Sequence, residues 1–273
     1  MTSRSPASSS PSSSSSPSPS PAPSPTLVVR PTREAAEGVV ADFLAASIRQ
    51  SAGIVLGLAT GRSMVGVYRR LVEAHRAGEL SFARTRSFNL DEWCGLAPTH
   101  PASFAAYMRN HLFGHVDIAP AAWHLPAAGA PDAGPAYEAA IAAAGGIDVQ
   151  LLGIGRNGHI GFNEPGSART SRTRIVTLDA STRAAAAGDF PPGESVPQTA
   201  MTMGVATILE ARRIVLLATG AAKAEALAAA LEGPETPANP ASFLKSHPRV
   251  SIVADRAAAA HLATPRPGAR PDA

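Results

Sequence analysis

The segment IDVQLLGIGRNGHIGFNEP, residues 147–165, joins an apolar run to a polar, glycine-rich loop. The run at 147–154 is almost continuously apolar, which is typical of a strand covered on both faces in a parallel sheet. The loop follows it directly and carries one His, two Asn and one Glu. The segment therefore predicts an α/β fold with a functional loop at the carboxyl end of a central strand.

Similar apolar runs recur along the chain and alternate with helical patterns, as in a mostly parallel, twisted sheet. We predict further strands at 26–30, 54–58, 86–90, 213–218 and 250–254. We predict helices after Thr32, which can cap the first one, over 64–72, over 104–113 and over the Ala-rich stretch 221–232.

Four polar loops each begin where a predicted strand ends. They are ATGRS at 59–63, DEW at 91–93, GRNGH at 155–159 and TGAAK at 219–223. Because the carboxyl ends of parallel strands meet at one edge of a sheet, we expect these loops to line one pocket.

The first and last of these loops contain an anion-binding pattern. Gly61 lets the backbone approach a ligand, and the N–H groups of Thr60, Gly61, Arg62 and Ser63 lie where a helix starts. Lys223 can add a positive charge from the second strand-to-helix junction. The alternatives are an ordinary tight turn and a solvated helix lysine. The first loop lacks the lysine and spacing of a Walker loop.

Two acids stand together at 91 and 92. Adjacent residues of an extended chain point to opposite sides, so only one of them is expected to face the pocket. Asp91, between apolar Leu90 and Trp93, is the candidate general base. The competing interpretation is an aspartate that caps the next loop.

His159 and Glu164 form the second candidate catalytic pair, with the carboxylate orienting the imidazole and raising its basicity. A lone loop histidine is more often structural, but the nearby acid and the surrounding glycines favour catalysis here. We predict no metal site, since no second His or Cys stands at ligand spacing.

Composition limits the remaining choices. Residues 1–25 are nearly all Ser, Pro and Ala and are predicted to be disordered, as is a flexible tail at 263–273, leaving one domain at 26–262. The formal net charge is +3 with dispersed Arg residues, which argues against a nucleic-acid partner. A single cysteine, Cys94, and the lack of a long apolar stretch favour the cytoplasm and exclude a membrane span.

The blocks FNLDEW at 88–93 and NGHIGFNEP at 157–165 resemble the signature blocks of the glucosamine-6-phosphate deaminase family, and the similarity extends from about Leu27 to Asp255. The resemblance implies a modified Rossmann-like three-layer fold with a mobile lid, near 178–200, and a cofactor-free aldose–ketose isomerisation coupled to hydrolytic loss of ammonia. It also implies the roles of four residues. Asp91 moves a proton between C2 and C1, His159 assists ring opening, and Glu164 and Asn157 support His159.

The chain departs from the family pattern in its phosphate site. Arg62 stands where the family has a small residue, and Gly188 stands where the lid carries a phosphate-binding arginine. Since Lys223 is retained, we expect phosphate still to bind, with Arg62 replacing the lid arginine from the opposite wall. Of two residues linked to allosteric control in the family, Arg174 is present, while Val176 replaces the lysine.

The expected substrate is a small amino-sugar phosphate, most simply glucosamine 6-phosphate. Galactosamine 6-phosphate or a specialised amino sugar are alternative substrates. Alternative functions are a phosphosugar lactonase of the same superfamily and a sugar-phosphate sensor without turnover. Family members range from monomers to hexamers, so a homo-oligomer is among the expectations.

Overall fold

The protein is described by a computed structural model that covers residues 25–127, 129 and 132–263, together with Met1. The predicted tails lie almost entirely outside the described residues. The strands are β1 Thr26–Arg30, β2 Val55–Leu58, β3 Arg86–Asn89, β4 Asp91–Trp93, β5 Trp123–His124, β6 Val149–Gly153, β7 Arg174–Thr177, β8 Thr199–Thr202, β9 Arg213–Ala218 and β10 Val250–Asp255. The α-helices are α1 Arg33–Gln50, α2 Val65–Arg76, α3 Phe104–His111, α4 Ala133–Ala143, α5 Ala180–Ala186, α6 Val205–Leu209 and α7 Ala224–Glu232.

Seven strands form one parallel sheet in the order β1-β10-β9-β6-β2-β3-β5. Helices cover both faces, so the predicted three-layer α/β architecture is confirmed. Strand β2 is buried along its whole length and β9 at all but its first residue, as the continuous apolar runs predict. The six strands predicted from those runs are all present, with bounds that differ by at most two residues.

The helix predictions hold with small corrections. The Thr32 side chain accepts a hydrogen bond from the Ala35 N–H at 3.2 Å and caps α1, as predicted. The stretch 221–232 is divided, because a 3₁₀ turn at Ala221–Lys223 precedes α7. Among the described helices, none is long and apolar enough to cross a membrane.

A second, antiparallel sheet of order β4-β8-β7 was not predicted. The DEW segment was expected to be a loop, and that expectation was wrong, since it forms β4. Leu90 makes the switch between sheets: its N–H donates to the Leu58 carbonyl at 3.0 Å, and its own carbonyl accepts from the Met203 N–H at 2.7 Å. The chain thus leaves the parallel sheet and pairs with β8 within one residue.

Candidate active site

One cavity of about 680 Å³ opens at the carboxyl ends of β2, β6 and β9, and all four predicted loops line it. Their convergence on one pocket is therefore present as predicted. Thr60, Gly61, Arg62 and Ser63 form one wall, and Lys223 lies at the end of the 219–223 loop.

Asp91 lies in this cavity at the start of β4 and is only 5% exposed. Burial, with a smaller contribution from the neighbouring charge of Glu92, raises the pKa of Asp91 to about 8, and the Phe162 amide opposes this shift. Gly161, at φ +54°, approaches closely here, since a Cβ at that position would lie 3.3 Å from Asp91 Oδ2. The site therefore holds a carboxyl group that can gain or lose a proton near neutral pH.

Glu92 points to the other side of β4, as alternation along a strand requires. Its carboxylate accepts hydrogen bonds from the backbone N–H groups of Trp93, Phe104 and Ala105, each at 2.9 Å. Two of these donors are the first two residues of α3, so Glu92 holds the N-terminus of that helix. Glu92 is thus structural, while Asp91 faces the pocket.

His159 lines the cavity, and Glu164 lies behind it with Oε2 at 3.3 Å from His159 Nδ1. This contact is an ion-pair distance and not a well-formed hydrogen bond, because Nδ1 has no hydrogen-bond partner in the described part of the chain. Asn157 Nδ2 donates to the same Oε2 at 2.9 Å, and its Oδ1 accepts from the His159 N–H at 3.3 Å. The predicted trio of Asn157, His159 and Glu164 is therefore assembled at one point.

The local backbone makes room for this trio. A Cβ on Gly155 would lie 2.4 Å from the His159 ring, so only glycine lets the imidazole pack over the loop. Burial pushes the pKa of Glu164 upward, but the contacts with His159, Thr182 and Asn157 outweigh burial and lower that pKa to about 2. Glu164 thus stays ionised beside the imidazole across the neutral range.

Four cationic side chains line the cavity: Arg33 and a group of three, Arg62, Arg156 and Lys223. Burial lowers the pKa of Lys223, and the charges of Arg156 and Arg62 lower it further. Within the described residues none of the three is paired with a carboxylate. Such a cluster is an anion-binding arrangement.

Arg156 was missed by sequence reasoning, although it stands inside the quoted GRNGH loop. A single arginine in a loop is usually solvated, so its charge alone does not indicate a binding role. Only the tertiary structure brings it beside Lys223. In the described part of the chain, no three His, Cys, Asp or Glu side chains are grouped so that they could hold a metal ion.

Residues of the expected lid also line the cavity, namely Ser181, Thr182, Ala185, Ala186 and Asp189. Arg62 reaches this segment, and its Nη2 donates to the Ala185 carbonyl at 3.2 Å. Gly188, where an arginine was expected from the family pattern, is exposed.

An aromatic cluster adjoins the cavity, which three of its members, Trp93, Phe104 and Phe162, line. The Trp93 ring lies 5.3 Å from Phe104, 5.0 Å from Phe162 and 5.5 Å from Phe190, between ring centroids. Phe190 lies within the expected lid, so this cluster joins that segment to β4 and α3.

Arg174, at the start of β7, is half-buried and does not extend into solvent as a surface charge would. Its Nη1 donates to Asn163 Oδ1 at 2.9 Å and its Nη2 to Ser167 Oγ at 3.2 Å. Asn163 in turn donates to the carbonyls of Ile160 and Met203, at 2.9 and 2.7 Å. Arg174 therefore ties β7 to the loop that carries His159 and Glu164.

The sequence of this chain is similar to those of known proteins. The sequence model of the family described as glucosamine-6-phosphate isomerases/6-phosphogluconolactonase matches residues 31–252. A glucosamine-6-phosphate deaminase of Rhodopirellula baltica is 54% identical over 235 residues, covering 85% of this chain and 94% of the relative. A glucosamine-6-phosphate deaminase of a Geobacillus species is 48% identical over 219 residues, covering 79% and 87%.

Solved structures agree with the fold. A monomeric glucosamine-6-phosphate deaminase superposes with a TM-score of 0.84 at 43% identity, over 86% of this chain and 99% of that one. The 6-phosphogluconolactonase of Trypanosoma brucei superposes with a TM-score of 0.69 at 20% identity, over 88% and 99%, and shares the fold.

Proposed function

Because the chain belongs to the family of glucosamine-6-phosphate isomerases and 6-phosphogluconolactonases, we propose that it deaminates and isomerises an amino-sugar 6-phosphate. The substrate we propose is glucosamine 6-phosphate, with fructose 6-phosphate and ammonium as products. Relatives named glucosamine-6-phosphate deaminase are 44–54% identical over most of the chain. The observation that carries the proposal is the cavity that holds Asp91, His159 and a cation cluster together.

Ring opening is the first proposed step and needs a proton acceptor for O1 and a donor for the ring oxygen. His159 can carry the proton from O1 to the ring oxygen, and the ionised Glu164 behind it stabilises the imidazolium that forms. Asn157 holds Glu164 in place. The open chain then presents an aldehyde at C1 and the amine at C2.

Proton transfer between carbons is the second proposed step. Asp91 removes the proton from C2 and returns it to C1 by way of an enolamine, so one carboxylate serves both positions. Water then adds at C2 and the amine leaves as ammonium, which is the hydrolytic part of the reaction. The high pKa of Asp91 suits this task, because a base of pKa about 8 binds a carbon-derived proton more readily than an ordinary carboxylate. A cationic amine entering the cavity favours the ionised form.

The phosphate is proposed to bind at Arg62, Arg156 and Lys223, with the N–H groups of the 60–63 loop. A dianion there removes the mutual repulsion of the three cations. Arginine forks match phosphate oxygens in pairs, so two arginines can take the place of a lid arginine.

The lactonase alternative has weaker support, because the 6-phosphogluconolactonase structures are only 18–20% identical to this chain. The sensor alternative predicts binding without turnover, for which Asp91 and the His159–Glu164 pair would not be needed.

An ammonium-release assay over a small panel tests the proposal. The panel is glucosamine 6-phosphate, galactosamine 6-phosphate, unphosphorylated glucosamine and, as an acid-release control, 6-phosphogluconolactone. We expect ammonium from the first compound, and a loss of about a hundredfold or more in Asp91→Asn. Acid release from the lactone alone supports the lactonase, and saturable binding of all sugar phosphates without turnover supports the sensor.

We also propose that the enzyme acts in the cytoplasm, which the single cysteine supports. Association into a homo-oligomer stays a prediction, and light scattering on the purified chain measures it directly.

A further inference from the structure

The first half of the expected lid, residues 180–189, has little buried surface. None of the side chains of α5 or of the 3₁₀ turn Ala187–Asp189 is buried. The flanking residues Leu178 and Phe190 are buried, at 4% and 8% exposed, and belong to the cluster around Trp93. Between them, the partly buried Ala186 packs against the same cluster, and the rest of the stretch is largely exposed.

Arg62 adds a contact from the opposite wall of the cavity. Its Nη2 donates to the Ala185 carbonyl at 3.2 Å and links α5 to the 59–63 loop, in addition to the contact of Thr182 with Glu164. Ala185 lies in the last turn of α5, where backbone carbonyls have no donor within the helix. A guanidinium is a suitable donor for such a carbonyl, because it is charged and carries five N–H groups.

The loop backbone next to Arg62 is held in place on the cavity wall opposite the lid. The Gly61 carbonyl accepts from the Tyr107 hydroxyl at 2.8 Å and from the Met64 N–H at 2.9 Å, so the loop backbone is held on both sides of its turn. The side chain of Arg62 therefore crosses from a held loop to a lightly held lid, in the cavity that Lys223 and Arg156 also line.

We propose that Arg62 is a positioning residue that couples phosphate binding to lid position, using one N–H group for the Ala185 carbonyl and others for the phosphate. This inference rests on the proposed phosphate site. In the empty cavity Lys223 and Arg156 repel the Arg62 guanidinium, and a bound dianion reverses that force. The bridge then strengthens, and the lid stays over the substrate longer. The family pattern is inverted: an arginine on the wall holds the lid, where an arginine on the lid was expected to hold the phosphate.

Hydrogen exchange of the 180–190 amides, followed by mass spectrometry, tests the coupling with inorganic phosphate as the probe. In the native chain we expect saturating phosphate to slow exchange of this segment by about fivefold, the effect of one charge-assisted hydrogen bond. Arg62→Ala should exchange faster without phosphate and show no slowing with it. Arg62→Lys should keep most of the phosphate affinity, measured by calorimetry, without the slowing, because an ammonium lacks the guanidinium fork. Arg69→Ala, which removes an exposed arginine paired with Glu73 on α2, is the matched control and should behave like the native chain.

The outcomes separate the coupling from the phosphate site itself. If phosphate binds and Lys223→Ala abolishes binding, but the lid of the native chain is not slowed, the coupling is wrong and the phosphate site stands. Full slowing in Arg62→Ala or Arg62→Lys also overturns the role of Arg62. No saturable phosphate binding by the native chain overturns both the site and the coupling.

Discussion

Asp91→Asn is expected to remove most of the activity and, at the same time, to stabilise the folded chain. The carboxyl group is buried at the edge of the cavity beside Leu90 and Trp93, with Glu92 next to it in sequence. In the empty enzyme its ionised form is therefore unfavourable, while in the unfolded chain it is fully hydrated. Asparagine keeps the shape and has no charge to bury.

The size of the effect follows from the pKa. Asp91 has an ordinary pKa of 3.8 and a pKa of about 8 in the folded chain. Because the folded-state pKa is raised, the stability associated with this group is fully present below pH 3.8 and is lost as the pH rises through about 8. At about 1.4 kcal/mol per pKa unit, the loss at pH 7 is at most about 4 kcal/mol, and we expect about 2 kcal/mol because water in the open cavity screens the charge.

Urea unfolding of the native chain and of Asp91→Asn at several pH values from 5 to 8.5 measures this difference. The variant's advantage in the free energy of unfolding should grow with pH and level off above about pH 8. Asp189→Asn, which removes an exposed carboxylate from the same cavity, is the matched control and should show little change. Parallel stability profiles for the native chain and Asp91→Asn would refute the buried-carboxyl reasoning.

Three further predictions concern the groups around this base. Glu92→Gln removes a charge that raises the pKa of Asp91, so the rising acid limb of kcat/KM should move to lower pH in an ammonium-release assay at pH 6–9. Glu164→Gln removes the anion behind His159 and should lower kcat by about ten- to a hundredfold, with native thermal unfolding as the check on the fold. Gly155→Ala places a Cβ 2.4 Å from the His159 ring and should lower kcat by about tenfold or more, whereas a native rate would show that the ring does not need its present position.

Much of the sheet could be predicted because its signals are local. Strands such as β1 and β9 are apolar runs that must be covered on both faces, and their bounds were predicted without error. Strands β4, β5, β7 and β8 were missed, because each has only two to four residues, none is a continuous apolar run, and each is held by its partner strands.

For the site, the sequence by itself determined which residues follow strand ends and, by alternation, that only one of Asp91 and Glu92 faces the pocket. The tertiary structure alone decided what depends on distant segments. It placed Arg156 beside Lys223, joined Arg62 to a carbonyl 123 residues away, and raised the pKa of Asp91 by burial. The physical reason is that strand pattern and side-chain alternation are properties of neighbouring residues, whereas charge clusters, bridges and desolvation arise only when remote parts of the chain pack together.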